Sequence, residues 1–293
     1  MNALPSDSGL LRLPHVLLLA VDGRRIIARM MTGVDEAGNG YFSLFDALPD
    51  KQAVFSMLDE AVSWQKKRGG KCLLGPVSPE LLDLEAGIMT EGFGQEASFG
   101  ERHNPPYYGE YLEEYGFSVE SVRHSFRLKT ACVDAEKYRK AAEWTGMRMG
   151  LKTTDLSEQP RELARVMHEV MESDAPGQEA VNRAVGRLQA FMTYGMCPAA
   201  YDQRTGEAAG FLVSIGNGKE KPVRIANLWI KEAWRRKGAA VMLFEALLNE
   251  ALRRNMAEID ASFVVKDNLA SEMTARAAGG AVIHSYCRYG LEI

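Results

Sequence analysis

Three consecutive basic residues and a glycine, at positions 235–238, form the segment of this 293-residue chain best suited to binding chemistry. They come shortly after an apolar run, Val223–Ile230, that predicts a strand, and just before a run from about Ala240 to Arg254 that predicts a helix. Because the first amides of a helix and the positive end of its dipole attract anions, the segment predicts a pyrophosphate site. From these residues alone, an ordinary solvated turn is an open alternative to a pyrophosphate site. The residues of the predicted loop are Arg235, Arg236, Lys237, Gly238, Ala239 and Ala240.

The elements that hold this loop alternate between strands and helices through the second half of the chain. Besides the two that flank the loop, the predicted elements are a strand at Met147–Thr153, helices at Glu158–Glu172 and Ala180–Tyr194, a hairpin of Pro198–Tyr201 with Ala208–Ile215, a strand at Glu258–Val265, a helix at Asn268–Ala278 and a strand at Ala281–Glu292. This mixed order predicts an α/β fold, with a twisted sheet flanked by helices.

The first half also mixes strands and helices, but it has no basic loop. Its predicted elements are a hairpin of Val16–Val21 with Arg25–Met30, strands at Tyr41–Phe45, Lys71–Leu74 and Phe117–Leu128, helices at Lys51–Lys67 and Tyr107–Tyr115, and an irregular glycine-rich stretch at Gly87–Gly100. A charged helical stretch, Asp134–Trp144, predicts a connection between the two halves.

The composition is that of an ordinary soluble protein with two domains, because 46% of the residues are hydrophobic and 25% are charged. The net charge of -4 argues against broad binding to nucleic acid. The four cysteines are far apart and the five histidines are scattered, so we expect reduced thiols, a cytoplasmic location and no metal site. No apolar run is long enough to predict a membrane span, and we expect no membrane partner.

The loop and two later features together resemble the GNAT acyltransferases. Arg235, Gly238 and Ala240 match the family's [QR]-x-x-G-x-[GA] signature. The stretch at 264–268 resembles the family's strand end in Asp-Asn, and the spacing from Asn268 to Gly279 resembles its last helix. The resemblance implies a complete GNAT domain at 147–293 that uses acetyl-CoA or another acyl-CoA.

The resemblance also implies roles for individual residues. The strand before the loop would pair with the pantetheine arm through Leu228, Trp229 and Ile230. The amides from Arg236 to Ala240 would hold the pyrophosphate, and Asn268 would lie beside the pantetheine.

The first half resembles a GNAT fold without its phosphate loop. The acidic residues Asp46 and Asp50 stand where the loop would be, and they would repel a pyrophosphate. We therefore predict two GNAT-like lobes, each a twisted mixed sheet flanked by helices: a degenerate one at 1–130, a linker helix at 131–146 and the CoA-binding one at 147–293. The whole pattern is similar to uncharacterised bacterial tandem-GNAT proteins.

The acid and the base of acyl transfer are harder to find. Many GNAT enzymes use a tyrosine in the last helix as the acid, but Ala275 stands at that position. Tyr286 and Tyr289 on the last strand are the nearest substitutes, although the pattern favours a half-buried strand tyrosine for either one alone. The strand Val223–Ile230 has no carboxylate to act as the base, and Glu232 beyond it is expected to face solvent.

Three functions fit these residues. The first is an acyl-CoA-dependent N-acyltransferase, in the simplest case an acetyltransferase, that acts on a small amine or amino-acid-like acceptor. The second is a CoA-binding protein without turnover. The third is an aminoacyl-tRNA-dependent transferase, which the intact loop and the negative net charge disfavour. Both a monomer and a homodimer fit the sequence.

Overall fold

A computed structural model of the chain describes residues 13–35, 38–78, 87–172, 177–192, 195–218 and 221–293. The described residues form two compact units. Unit 1 holds those up to His124 together with Phe263–Asn268 and Ile283–Ile293, and unit 2 holds those of Ser125–Ser262 together with Leu269–Val282.

Within the described ranges the chain forms twelve strands and seven α-helices, which confirms the predicted mixed α/β class. The strands are β1 (His15–Asp22), β2 (Arg25–Val34), β3 (Gly40–Ala47), β4 (Cys72–Gly75), β5 (Ile88–Glu91), β6 (Ser118–Lys129), β7 (Leu151–Asp155), β8 (Pro198–Asp202), β9 (Ala208–Ile215), β10 (Val223–Ile230), β11 (Glu258–Val265) and β12 (Ala281–Glu292). The helices are α1 (Lys51–Lys66), α2 (Tyr107–Tyr115), α3 (Ala135–Met149), α4 (Pro160–Met171), α5 (Gln178–Met192), α6 (Ala239–Arg253) and α7 (Leu269–Ala277).

In unit 1 the strands follow the order β1-β2-β3-β4-β12, and β5 also pairs with β12. The pairs are antiparallel except β3 with β4, which are parallel and are connected by α1. A core of buried apolar side chains lies between this sheet and α1, with Phe42, Phe45 and Leu58 fully buried. Burial of such large side chains is the main stabilising contribution to this unit.

In unit 2 the strands follow the order β7-β8-β9-β10-β11. The pairs are again antiparallel except one, β10 with β11, whose strands are connected by α6. The succession β8-β9-β10-α6-β11 therefore repeats the succession β1-β2-β3-α1-β4 of unit 1. The likeness concerns the order of the elements; a degenerate copy in the first half stays a prediction.

The compact units differ from the predicted domains at both ends. Residues Ile283–Ile293 belong to unit 1, because β12 pairs with β4 from Tyr289 opposite Gly75 to Glu292 opposite Cys72. The predicted linker helix, α3, belongs to unit 2. A pairing between residues more than two hundred positions apart leaves no local signal in the sequence.

Two predicted elements are wrong in part. Met147, expected in a strand, lies in α3, which continues to Gly150, where a backbone φ of 65° ends the helix. The stretch Gly87–Gly100, expected to be irregular, contains β5. The predicted helix Ala180–Tyr194 is described as far as Met192, and Tyr194 lies outside the described residues.

Candidate active site

Strand β10 separates from β11 after a short parallel contact. The two strands pair from Val223 opposite Ile259 to Ile225 opposite Ala261. On its other edge β10 pairs with β9 as far as Ile230, with a bulge between Ile225 and Asn227. Among the described residues of unit 2, β11 therefore covers only the first part of β10. The backbone of Leu228–Ile230 keeps one edge that an extended ligand with amide groups can pair with.

The basic loop connects this strand to α6. A 3-10 turn at Glu232–Trp234 comes first, and the side chains of all three cations that follow are exposed. The Arg235 side chain folds back onto the strand, since its Nε donates to the Ile230 carbonyl over 3.3 Å. The Lys237 ammonium lies 5.4 Å from the ring centroid of Trp234. The loop is thus anchored at two points while its positive charge faces outward.

Gly238 is the N-cap of α6, with φ 89° and no side-chain hydrogen bond to the first turn. A Cβ at this position would lie 2.5 Å from the Thr145 Oγ1 of α3. Both the dihedral angle and the close approach therefore require a glycine. Because Gly238 has no side chain, it cannot cap the first turn of the 15-residue helix α6. The Val241 amide donates to the Gly238 carbonyl over 3.0 Å, and the Ala239 and Ala240 amides before it are the ones suited to an anionic group.

The corresponding helix of unit 1 begins differently. At the start of α1 the Asp50 carboxylate accepts from the Ala53 amide over 3.0 Å. Before it, Asp46 is paired with both Arg29 and Arg102. A carboxylate thus caps the first turn of α1. That the first half does not bind CoA in the usual way stays a prediction.

The two tyrosines predicted as candidate acids are fully buried in unit 1. The Tyr286 hydroxyl donates to the Arg102 carbonyl over 3.1 Å and lies 3.3 Å from Glu101 Oε2. The Tyr289 hydroxyl donates to Glu113 Oε1 over 3.1 Å, and burial raises the pKa of Tyr289 well above its usual value. Each hydroxyl thus has a protein acceptor, which favours the packing interpretation; a catalytic role stays a prediction.

Three other positions from the sequence analysis, Asn268, Ala275 and Glu232, lie outside the basic loop. Asn268 is exposed in unit 1, and its backbone amide donates to the Val265 carbonyl over 2.9 Å. Its place beside a pantetheine stays a prediction. Ala275, where many GNAT enzymes have a tyrosine, is buried on α7. Glu232 is exposed, as expected.

The sequence reasoning missed Asn227. This residue follows the bulge of β10, and its side-chain Oδ1 is buried without a hydrogen-bond donor among the described residues. An unsatisfied buried acceptor costs about 1–3 kcal/mol, so it is a place where a ligand donor would be favourable. The bulge before this residue leaves no sequence signal, because Ala226 and Asn227 fit an ordinary strand.

The comparisons with known proteins agree with this geometry. Residues 161–279, from α4 to the end of α7, match the model of the Acetyltransferase (GNAT) family. This part of the chain is therefore similar to a GNAT acetyltransferase domain.

Two curated relatives are similar to parts of the chain. Protein YghO of Escherichia coli (strain K12) is 30% identical over 78 residues, which is 27% of this chain and 20% of that protein. The bacterial ceramide synthase of Caulobacter vibrioides (strain NA1000 / CB15N) is 24% identical over 246 residues, which is 75% of this chain and 62% of that protein. The chain thus spans less than two thirds of either relative.

Two solved structures have the same fold over most of the chain. A tandem GNAT protein from the clavulanic acid biosynthesis pathway covers 97% of this chain and 86% of its own, with a TM-score of 0.62 and 13% identity. A GCN5-related N-acetyltransferase from Sphaerobacter thermophilus covers 95% of this chain and 80% of its own, with a TM-score of 0.55 and 12% identity. At these identities the likeness concerns the fold alone.

Proposed function

We propose that the protein is an acyl-CoA-dependent N-acyltransferase whose donor binds along β10 and at the start of α6. The observation that carries the proposal is the uncapped helix start at Gly238, directly after a cluster of exposed cations and a strand with a free edge. The loop amides from Arg236 to Ala240 and the charge of Arg235 and Arg236 would bind the pyrophosphate. The free edge of Leu228–Ile230 would pair with the amides of the pantetheine.

The residues around β10 suggest how the acceptor is held. A bound acyl-CoA supplies an activated thioester carbonyl, which an amine attacks while the thiolate leaves. The buried Asn227 Oδ1 can accept an N–H of the attacking amine and so aim the nitrogen lone pair at that carbonyl. An amide oxygen does not take up the proton, and β10 has no carboxylate, so we propose that water removes it.

For the acceptor we propose a long-chain amine. The support is the likeness to a protein named bacterial ceramide synthase, since a ceramide is an amide of a long-chain amino alcohol. The exposed apolar side chains of α7 suit an apolar substrate, because Leu269 and Met273 lie one turn apart on the same face and are 69% and 68% exposed. We further propose that the reaction takes place in the cytoplasm, since the scattered cysteines of the sequence predict reduced thiols.

The test is the release of free thiol from acetyl-CoA or palmitoyl-CoA, with sphinganine or ethanolamine as the acceptor. We expect turnover with sphinganine and little with ethanolamine. Asn227→Ala is expected to lower kcat/KM for the amine by about tenfold or more, without changing the affinity for CoA. Ser262→Ala, which removes another buried polar atom of unit 2, is the matched control.

The outcomes separate the candidate functions. Turnover with ethanolamine but not with sphinganine would overturn the proposed long-chain acceptor, while the proposed N-acyltransferase activity would stand. CoA binding without thiol release from any pair would favour a CoA-binding protein without turnover. No CoA binding would overturn the proposal.

A further inference from the structure

The edge strand β1 exposes a row of apolar side chains on its outer face. Leu17, Leu19 and Val21 alternate along the strand and are 53%, 47% and 61% exposed. Ile26, opposite Val21 in the register of the β1–β2 hairpin, is 54% exposed. From Leu17 to Val21 the row extends about 13 Å, and its side chains point to one side of the sheet. We call these four residues the hairpin face.

Folding of unit 1 does not require the hairpin face to be apolar. The intervening residues Leu18 and Ala20 pack against the core beneath α1. A strand with one buried and one solvated face normally alternates apolar and polar residues. Both faces of β1 are apolar, but the described residues of unit 1 cover only the face that carries Leu18 and Ala20. An exposed, apolar edge strand favours association with a partner.

The charges around the hairpin face indicate which partner it fits. The turn between the strands carries two exposed arginines, Arg24 and Arg25, against one acid, Asp22. Further along β2, Arg29 is paired with Asp46, which is also bound by Arg102. The tip of the hairpin therefore combines uncovered aliphatic groups with net positive charge.

We propose that the β1–β2 hairpin attaches the protein to the surface of an anionic lipid bilayer. The aliphatic side chains would enter the boundary between the headgroups and the acyl chains, while Arg24 and Arg25 bind the lipid phosphates. A second copy of this chain fits less well, because the tip of its hairpin carries the same positive charge on Arg24 and Arg25. No described helix is long and apolar enough to span a bilayer, so the attachment is peripheral. This proposal replaces the sequence-based expectation of no membrane partner.

The experiment is co-sedimentation of the full chain with vesicles of phosphatidylcholine, alone or mixed with phosphatidylglycerol. We expect binding to the mixed vesicles and little to the neutral ones. Arg24→Gln with Arg25→Gln is expected to weaken binding about 30-fold, since each arginine contributes about 1 kcal/mol at an anionic surface. Leu19→Ser, Val21→Ser and Ile26→Ser together are expected to abolish it.

Matched controls separate the hairpin from general effects of charge and polarity. Lys66→Gln with Lys67→Gln removes two exposed charges at the end of α1, and Val119→Ser removes an exposed apolar group of β6; both are expected to bind like the wild type. The hairpin and the basic loop lie in different units, and hairpin variants should therefore bind acyl-CoA normally. Failure of the membrane attachment is thus distinguishable from failure of the proposed function.

Three results would overturn the attachment. The first is equal binding to neutral and anionic vesicles, and the second is equal loss in the control variants. The third is a wild-type dimer in sedimentation velocity that becomes a monomer in the triple serine variant, because the hairpin face would then be covered by a second copy.

Discussion

Replacing Gly238 by alanine tests the geometry of the loop most sharply. The residue is the N-cap of α6 and has a φ of 89°, in the region that side chains with a Cβ rarely adopt. The added methyl group would lie 2.5 Å from the Oγ1 and 2.7 Å from the Cγ2 of Thr145, a buried residue of α3. The variant therefore suffers from backbone strain and from overpacking.

The magnitude follows from these two effects. The left-handed conformation costs about 1–2 kcal/mol for a residue with a Cβ, and overpacking of a well-packed contact costs about 1–3 kcal/mol. We expect Gly238→Ala to lower the free energy of unfolding by about 2–5 kcal/mol. Adding Thr145→Ala removes the two closest atoms and should recover the overpacking part, so the double variant is less destabilised than the sum of the single ones.

The assay is urea unfolding with linear extrapolation. Gly186→Ala is the matched control, because Gly186 lies inside α5 and a Cβ added there would meet open space. That change is expected to stabilise the protein by about 0.5–1 kcal/mol. A loss of less than about 1 kcal/mol for Gly238→Ala, or no recovery in the double variant, would refute the described contact between the loop and α3.

Two further predictions concern charges of unit 2. Arg127 donates twice to the fully buried Asp260, at 2.8 Å each. Asp260→Asn is therefore expected to lower the free energy of unfolding, measured by urea unfolding, by about 3–5 kcal/mol. A change below about 1 kcal/mol would contradict this prediction. Hydrogen bonds from Arg253 and Arg254 lower the pKa of Glu250 from 4.5 to about 2, so its contribution to stability is present above about pH 4.5 and is lost as the pH falls towards 2. Glu250→Gln should reduce this pH dependence, and an unchanged profile would count against the ion pairs.

The sequence predicted most elements of the fold because their signals are local. The apolar spacing of α1 and the turn of the β1–β2 hairpin specify those elements within a few residues. The end of α3 was missed because its apolar residues Met147 and Met149 fit a strand as well as a helix. The decisive residue is Gly150, whose left-handed conformation ends the helix.

The residues of the candidate site also differ in whether the sequence gives a local signal for them. The loop at 235–240 has a recognisable pattern, because an anion site at a helix start needs a glycine and cations next to each other in the sequence. Asn227 has no such pattern, since its importance comes from a bulge and from burial that depend on the pairing of β10 with β9. The place of β12 in unit 1 likewise depends on pairing between distant residues.

The central claim is that the loop at 235–240 binds the pyrophosphate of CoA. Isothermal titration of the purified protein with acetyl-CoA and with CoA tests it most directly. We predict micromolar binding by the wild type, weakened at least about tenfold by Arg235→Ala with Arg236→Ala. The control, Arg187→Ala with Arg204→Ala, changes the charge of unit 2 equally and should bind like the wild type. Absence of wild-type binding, or an equal loss in the control, would contradict the claim.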